Sequence, residues 1–377
     1  MKILLVITKS DIGGAQVFVL NLARALRNVG CIVEVAAGDG EYLFAELKKE
    51  NISCHYLNSL KRNFSLLNSL YFIYDLRRLA KRNRYDVIHL NSSNTLIGAI
   101  AASLLKEKPK TVFTFHGLSF IDKNYRANSF FKMLANYYYK ILLRTVDKVV
   151  FECNLNYKEV KEAGMIKEAE VIYNGLDEKE MKFLASEEAR TFFSGKCGMD
   201  LKNSFLIGST GRLIYQKNYE FLIRNFSRIK EKIPNAKVVI VGEGPDRANY
   251  EELIKKHEIE NDFFLIGELK NSSQYLKGFD LFTLSSRYEG VSISLIEALY
   301  AGIPILASNV GGNPDVVGNN SYELFDLDNF DDYLSKLLII RGKREEIIHY
   351  NVSVKSRFSL ESFMNHYKNL FDGMIKK

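Results

Sequence analysis

The feature that most constrains this chain is a repeated alternation of two patterns. Short apolar, β-branched runs are separated by longer stretches with helical spacing. In the first half the runs read KILLVI, IVEVAA, YDVIHL, TVFTF, DKVVF and AEVIYN. Between them lie helix-like stretches such as Gln16 to Asn28 and Phe64 to Lys81. This order predicts a doubly wound parallel sheet with helices on both faces. A turn signal at Asn174-Gly175-Leu176-Asp177 ends the series, and a charged, weakly patterned stretch to about Asn203 reads as a connection with a lead-in helix. A second series then runs SFLIGST, AKVVIVG, DFFLIG, DLFTLS, IPILAS and YELF. The expected fold class is α/β, with two Rossmann-like doubly wound domains facing across a cleft. Such sheets bind ligands beyond the carboxyl ends of their strands, and each glycine-rich turn follows a predicted strand.

A length of 377 residues suits two domains at ~150 residues each. Hydrophobic residues make up 47% of the chain, enough for two cores, and no low-complexity tract suggests disorder. The four cysteines, Cys31, Cys54, Cys153 and Cys197, show no C-x-x-C spacing. That argues against a zinc ribbon or a disulfide framework and favours a reducing cytoplasm. The run Ile3 to Ile7 is too short for a signal-peptide core, and Leu96 to Leu105 is too short to span a bilayer, so any membrane contact is expected to be peripheral. Charge is uneven. Residues 1–175 hold 25 Lys+Arg against 16 Asp+Glu, whereas the remainder holds 27 against 29. The basic half points to a polyanionic surface or ligand, or simply to solubility.

Four motifs carry candidate chemistry. Gly13-Gly14-Ala15-Gln16 follows the first strand and opens a helix, where free amides can meet a phosphate. It is not the G-x-G-x-x-G dinucleotide fingerprint, and a tight turn without a ligand would look the same. Gly211-Arg212-Leu213-Ile214-Tyr215-Gln216-Lys217-Asn218 puts two cations on one loop, suited to a diphosphate or merely solvated. Val241-Gly242-Glu243-Gly244-Pro245-Asp246 reads best as a β–α turn. The most specific is the run from Ser286 to Ala298. Glu289 sits in its strand-to-helix turn, Glu297 lies within the helix, and the amides of Val291, Ser292, Ile293 and Ser294 are expected to form the first helical turn. Glu297 follows an apolar run, and a buried carboxylate needs partners, which ribose hydroxyls would supply. Pro304 to Asp315 adds one more strand and glycine turn, expected beside this motif.

With GGAQ, TFHG, VIYNGLD, GRLIYQKN, VGEGPDR, EGVSISLIEA and PILASNVGG in this order, the sequence resembles the retaining glycosyltransferases of family 4, which have the GT-B fold. The resemblance covers about the whole chain. It implies an N-terminal acceptor domain over residues 1–176 and a nucleotide-sugar donor domain over 177–355. Residues 356–377 would form a helix that packs back on the N-terminal domain. It further implies that Gly14 faces the donor diphosphate and that Arg212 and Lys217 bind its phosphates. Glu289 and Glu297 match the family's E-x(7)-E motif, one contacting the transferred sugar and the other the ribose. His116, in Phe115-His116-Gly117, matches a histidine beside the donor sugar and reaction centre, although a lone histidine after a strand is more often structural. Two departures are Asn218, where glycine often follows the lysine, and Asp315, where glutamate is more usual.

The implied reaction moves a sugar from a nucleoside diphosphate, with UDP favoured over GDP, to an acceptor hydroxyl with retention. Arg212, Lys217 and the helix amides would stabilise the charge that builds on the leaving group. No D-x-D or histidine cluster suggests a metal, so metal-independent turnover with no cofactor is expected. Two stretches of the basic half mix cations with aromatics: Lys61-Arg62-Asn63-Phe64 on to Arg84, and Lys123 to Arg144. They suit a lipid-linked saccharide acceptor at an anionic membrane surface, the inner face of the plasma membrane, or else core aromatics with a solvated rim. A nucleotide-sugar epimerase on the same architecture is the nearest alternative. Nucleic-acid binding is disfavoured, because no recognised module appears.

Overall fold

The structure, a computed structural model, describes residues 1–11, 13–61, 65–118, 121–318 and 320–375. Phe64 and its neighbours Arg62 and Asn63, part of the first basic stretch, lie outside the described residues. The chain forms two compact units: residues 1–176 with 357–377, and residues 177–356.

Seven parallel strands build the first unit: β1 Lys2–Ile7, β2 Ile32–Ala37, β3 Ser53–Tyr56, β4 Val87–Asn91, β5 Lys110–Phe115, β6 Lys148–Phe151 and β7 Glu170–Val171. Their order is β3-β2-β1-β4-β5-β6-β7, so the chain reverses its direction of growth between β1 and β4. Alternation along β1 sorts the core. Leu4 and Val6 face one side, Ile3, Leu5 and Ile7 the other. Helices Leu66–Asn83 and Ser129–Leu142 cover the first side through Phe72, Leu76, Ala80, Tyr139 and Leu142. Helix Gly14–Asn28 and the terminal helix Leu360–Ile375 cover the second, where Phe18 meets Phe363 and Tyr367 edge to face. The terminal segment joins by a bridge between Leu176 and Ser359, with Leu176 N–H donating to Phe358 O at 2.9 Å and Leu360 N–H to Leu176 O at 3.0 Å.

The second unit repeats the scheme with six parallel strands: β8 Phe205–Thr210, β9 Ala236–Val241, β10 Phe263–Leu265, β11 Leu281–Leu284, β12 Ile305–Ser308 and β13 Leu324–Phe325. The order β10-β9-β8-β11-β12-β13 puts its reversal between β8 and β11. In an open α/β sheet that is where a crevice forms, outside the carboxyl ends of the two strands.

All twelve apolar runs of the sequence contain a strand. The strand that pattern reading misses is β3, whose residues SCHY carry no apolar alternation and mostly face solvent at the sheet edge. The two basic aromatic stretches divide between the readings open to them. Phe72 and Tyr139 are core, while Tyr71, Phe130, Phe131 and Tyr137 are exposed.

Candidate active site

In the second unit, the loops after β8 and β11 meet at the reversal point. The loop Gly211 to Asn218 leaves β8, and the loop Ser285 to Ser292 leaves β11. Lys217 Nζ lies 2.7 Å from Glu289 Oε1, with both side chains largely buried. Ser286 Oγ donates to the same carboxylate oxygen at 2.6 Å, and Gln216 Nε2 to the other at 3.3 Å. Arg287 locks the loops together. Its backbone N–H donates to Gln216 O at 2.8 Å, its guanidinium donates to Tyr215 O at 2.8 Å and stacks 4.2 Å from the Tyr215 ring centroid. Asn218 adopts the left-handed conformation, φ 54°, at the start of the following helix. Asparagine tolerates that region and glycine does so freely, which explains why either fits after the lysine.

The helix carrying Glu297 is Ile293–Ala301, with Ser292 at its N-cap. It begins later than the expected first turn, so Val291 stands outside it, its side chain packed where a Cβ on Gly312 would intrude at 2.6 Å. Leu295 and Ile296 both donate to Ser292 O, leaving the amides of Ile293 and Ser294 without a helical partner among the described residues. Within the helix, Ile293, Ser294 and Glu297 are the residues not fully buried, a stripe at i, i+1 and i+4. The open amides and the second carboxyl therefore share one face. Glu297 makes no hydrogen bond or ion pair among the described residues, and burial pushes its carboxyl up to about 7.

The glycine turns pack these loops. A Cβ on Gly311 would lie 2.1 Å from Glu289 O, and one on Gly312 would lie 2.5 Å from Gly290 O. Gly242 and Gly244 seat the first loop in the same way, against Gly211 O at 2.0 Å and Leu213 O at 2.3 Å. Arg212 is exposed and has no ion pair among the described residues. The structure thus brings Lys217 to Glu289 but leaves Arg212 reaching into solvent.

In the first unit, His116 follows β5 and lies between the ends of the neighbouring strands. Its Nδ1 is 2.6 Å from Glu152 Oε1, beyond β6, and its Nε2 is 3.3 Å from Asn91 Oδ1, at the end of β4. Asn91 is oriented by donating from Nδ2 to His89 O at 3.1 Å. The Phe18 ring stands edge-on at 4.5 Å. Phe18 belongs to the helix that Gly14 opens. Gly14 is exposed, and among the described residues the first helical bond there is Val17 N–H to Gly13 O, so the amides before it have no helical partner among those residues. Glu152, just beyond β6, and Asn91, at the end of β4, belong to no motif of the sequence, and only the folded sheet brings them to His116. Burial also holds His89 neutral, with its pKa down at about 3.

The sequence matches the family descriptions Glycosyltransferase Family 4 over residues 12–180 and Glycosyl transferases group 1 over residues 200–353. The chain is a family 4 glycosyltransferase. It is 27% identical to the UDP-Gal:alpha-D-GlcNAc-diphosphoundecaprenol alpha-1,3-galactosyltransferase of Escherichia coli, over 86% of this chain and 85% of that one. It is 26% identical to the O-antigen biosynthesis glycosyltransferase WbnH of Escherichia coli, over 98% of each. Among solved structures, Anabaena HepE in complex with UDP and glucose superposes with a TM-score of 0.80 at 20% identity, covering 99% of each chain. Sucrose-phosphate synthase from Thermosynechococcus elongatus gives 0.81 at 16% identity, covering 100% of this chain and 99% of its own. The glycosyltransferase therefore has the GT-B fold, with its two sheets of seven and six strands. Among the described residues, no helix is long and apolar enough to cross a membrane.

Proposed function

We propose that this glycosyltransferase transfers a sugar from a UDP-sugar, with retention, to a hydroxyl of a lipid-linked saccharide in surface-polysaccharide or glycan assembly. The observation that carries the reading is the buried Lys217–Glu289 pair at the reversal point of the second sheet. It stands with an open helix N-terminus and the carboxyl of Glu297, which has no partner among the described residues. A cation, free amides and two carboxylates are what a sugar nucleotide requires: counter-charge for the diphosphate and acceptors for hydroxyls.

In this reading Lys217 and the exposed Arg212 bind the diphosphate, with amides of Val291, Ser292 and Ile293 beside it and Gly14 facing it. Glu297 accepts from the ribose and Glu289 from the transferred sugar. His116, held by Glu152, lies beside the sugar at the reaction centre. The bond from the anomeric carbon to the diphosphate oxygen breaks and the bond to the acceptor oxygen forms on the same face. The acceptor proton passes to the departing diphosphate, whose charge the cation and amides stabilise. The diphosphoundecaprenol named for the Escherichia coli relative supports a lipid-linked acceptor, and with it a peripheral position on the inner, anionic face of the plasma membrane.

A thermal-shift series tests the donor. UDP and its sugars should raise the melting temperature and GDP should not, since a ligand that binds only the folded state stabilises it. If no nucleotide moves the transition, the reading is wrong. Glu289→Ala should then nearly abolish transfer while the variant stays folded.

A further inference from the structure

We propose that the outward faces of two helices in the first unit, Leu66–Asn83 and Ser129–Leu142, together form a docking face for an anionic lipid bilayer. The inference deepens the reading of a lipid-linked acceptor by assigning the surface that meets the lipid.

Both helices bury one side against the same face of the first sheet, so their opposite sides look away from it together. In a soluble surface helix that outer side is polar. Here it is not. Leu66, Leu67, Leu70, Tyr71 and Tyr74 are each 61% exposed or more. Their spacing places them on one stripe, opposite the buried Phe72, Leu76 and Ala80. The same stripe continues into Arg77, Arg78, Lys81 and Arg82, all exposed. The helix face is therefore apolar over its first turns and cationic over its last.

The second helix repeats the device. Phe130, Met133, Leu134, Tyr137 and Ile141 recur at i, i+3, i+4, i+7 and i+11, an amphipathic stripe whose every member is at least 44% exposed. Lys140 and Arg144 stand exposed at its end. Leu104, 51% exposed, ends the Gly98–Ser103 helix that packs on this same side of the sheet.

Topology adds direction. In a parallel sheet each helix starts at the carboxyl edge of the strand before it. The apolar starts of both helices therefore lie toward the edge where His116 follows β5, and the arginines and lysines at their ends lie toward the other edge. Large apolar patches on a soluble surface mark an interaction site. Apolar side chains with Tyr at the margin and cations alongside match the boundary between acyl chains and anionic headgroups. The surplus of 25 Lys+Arg over 16 Asp+Glu in residues 1–175 has the matching sign. A tilted seating, with the carboxyl edge deeper, would bring a lipid-borne saccharide toward His116.

The absence of tryptophan from the sequence makes the test direct. Tyr71→Trp and Tyr137→Trp each place a single reporter on the face, and Phe44→Trp places one on the opposite side of the sheet. With vesicles of phosphatidylglycerol and phosphatidylcholine, the first two should shift to the blue and be quenched by brominated acyl chains, and the third should not. Sedimentation with the same vesicles should weaken by about tenfold in Leu70→Ser/Phe130→Ser and, separately, in Arg78→Ser/Lys81→Ser. UDP-induced thermal stabilisation, which reports the donor site alone, should be unchanged in every variant. Absence of binding to anionic vesicles at low salt overturns the proposal. So does a result in which the apolar variants lose a concentration-dependent dimer while vesicle binding persists, which would make this a face between two copies of the chain.

Discussion

At the scale of the residue, two carboxylates in one motif behave differently because their neighbours differ. Glu289 is held by Lys217, Ser286 and Gln216, whereas Glu297 has no partner among the described residues and its pKa is pushed up to about 7 by burial. Its ordinary value is 4.5, so between these limits the folded chain keeps a proton that the unfolded chain has released. Stability therefore falls as pH rises through that window and levels off above it. Glu297→Gln removes the ionisation, and without ligand it should melt higher than the parent at pH 8 but equally at pH 4, a difference that calorimetry at the two pH values would read. With nucleotide the effect reverses. In the proposed donor site a ribose hydroxyl donates to the ionised carboxylate, so affinity for a UDP-sugar, whose diphosphate has no proton to lose near neutrality, should rise through about pH 7 in the parent and be flat in Glu297→Gln. Titration calorimetry in buffers of different ionisation enthalpy should show proton release on binding in the parent alone. A second prediction concerns the pair. Lys217→Ala leaves the Glu289 carboxylate buried without its cation and should cost about 3 kcal/mol in urea unfolding. Lys217→Ala/Glu289→Ala should cost less than that single change, because no uncompensated charge remains. Glu289 and Lys217 stand out in the sequence because glycine turns and strand ends frame them, and Glu297 because it interrupts an apolar helical run. Glu152 does not, because its link to His116 runs between two strands that only the folded sheet makes neighbours.

At the scale of the element, strands were legible wherever both faces are buried, since parallel strands with helices on each side read as continuous apolar runs. The edge strand Ser53–Tyr56 has one neighbour and mostly exposed side chains, so nothing in its composition distinguishes it from a loop. Glycine turns were legible as turns, but not for what they do. Gly311 has φ 50° and sits with its Cα against the backbone of Glu289. Any side chain there meets both a left-handed conformation and a carbonyl oxygen. Gly311→Ala should displace the Glu289 loop, lowering kcat by at least about tenfold while costing ~1–3 kcal/mol of stability. Gly302, also left-handed with φ 68° but with open space around it, is the control. Gly302→Ala pays the conformational strain and meets no neighbour, so kcat should be unchanged. Equal kinetics for the two variants would show that the close packing of Gly311 on Glu289 is not what holds the site.

At the scale of the whole molecule, the two units differ in how the chain builds them. Residues 177–356 are continuous, whereas the first unit needs residues 357–377 returned from the far end of the sequence. The returning helix contributes Phe363, Tyr367, Leu370, Phe371 and Met374 to the core around Phe18 and Leu22, all five of them nearly or fully buried. At ~1.5–3 kcal/mol for each large side chain buried, their removal forfeits on the order of 10 kcal/mol. That is comparable with the entire stability of a domain. The approach is also tight, since a Cβ on Gly175 would lie 2.5 Å from Phe363 Cβ and 2.7 Å from Ser359 O. A chain ending at Ser356 should therefore lose the first unit and keep the second. Its circular dichroism should show about half of the native signal. One melting transition should remain, and UDP should still raise it, because the residues proposed to bind it, Lys217, Glu289 and Glu297, all lie in the continuous unit. Residues 177–356 expressed alone should show that same transition. If the shortened chain instead melts as one intact native protein, the terminal helix is an accessory and not part of the first core. If it loses both transitions together, the second unit depends on the first, and the independence of the two cores is refuted.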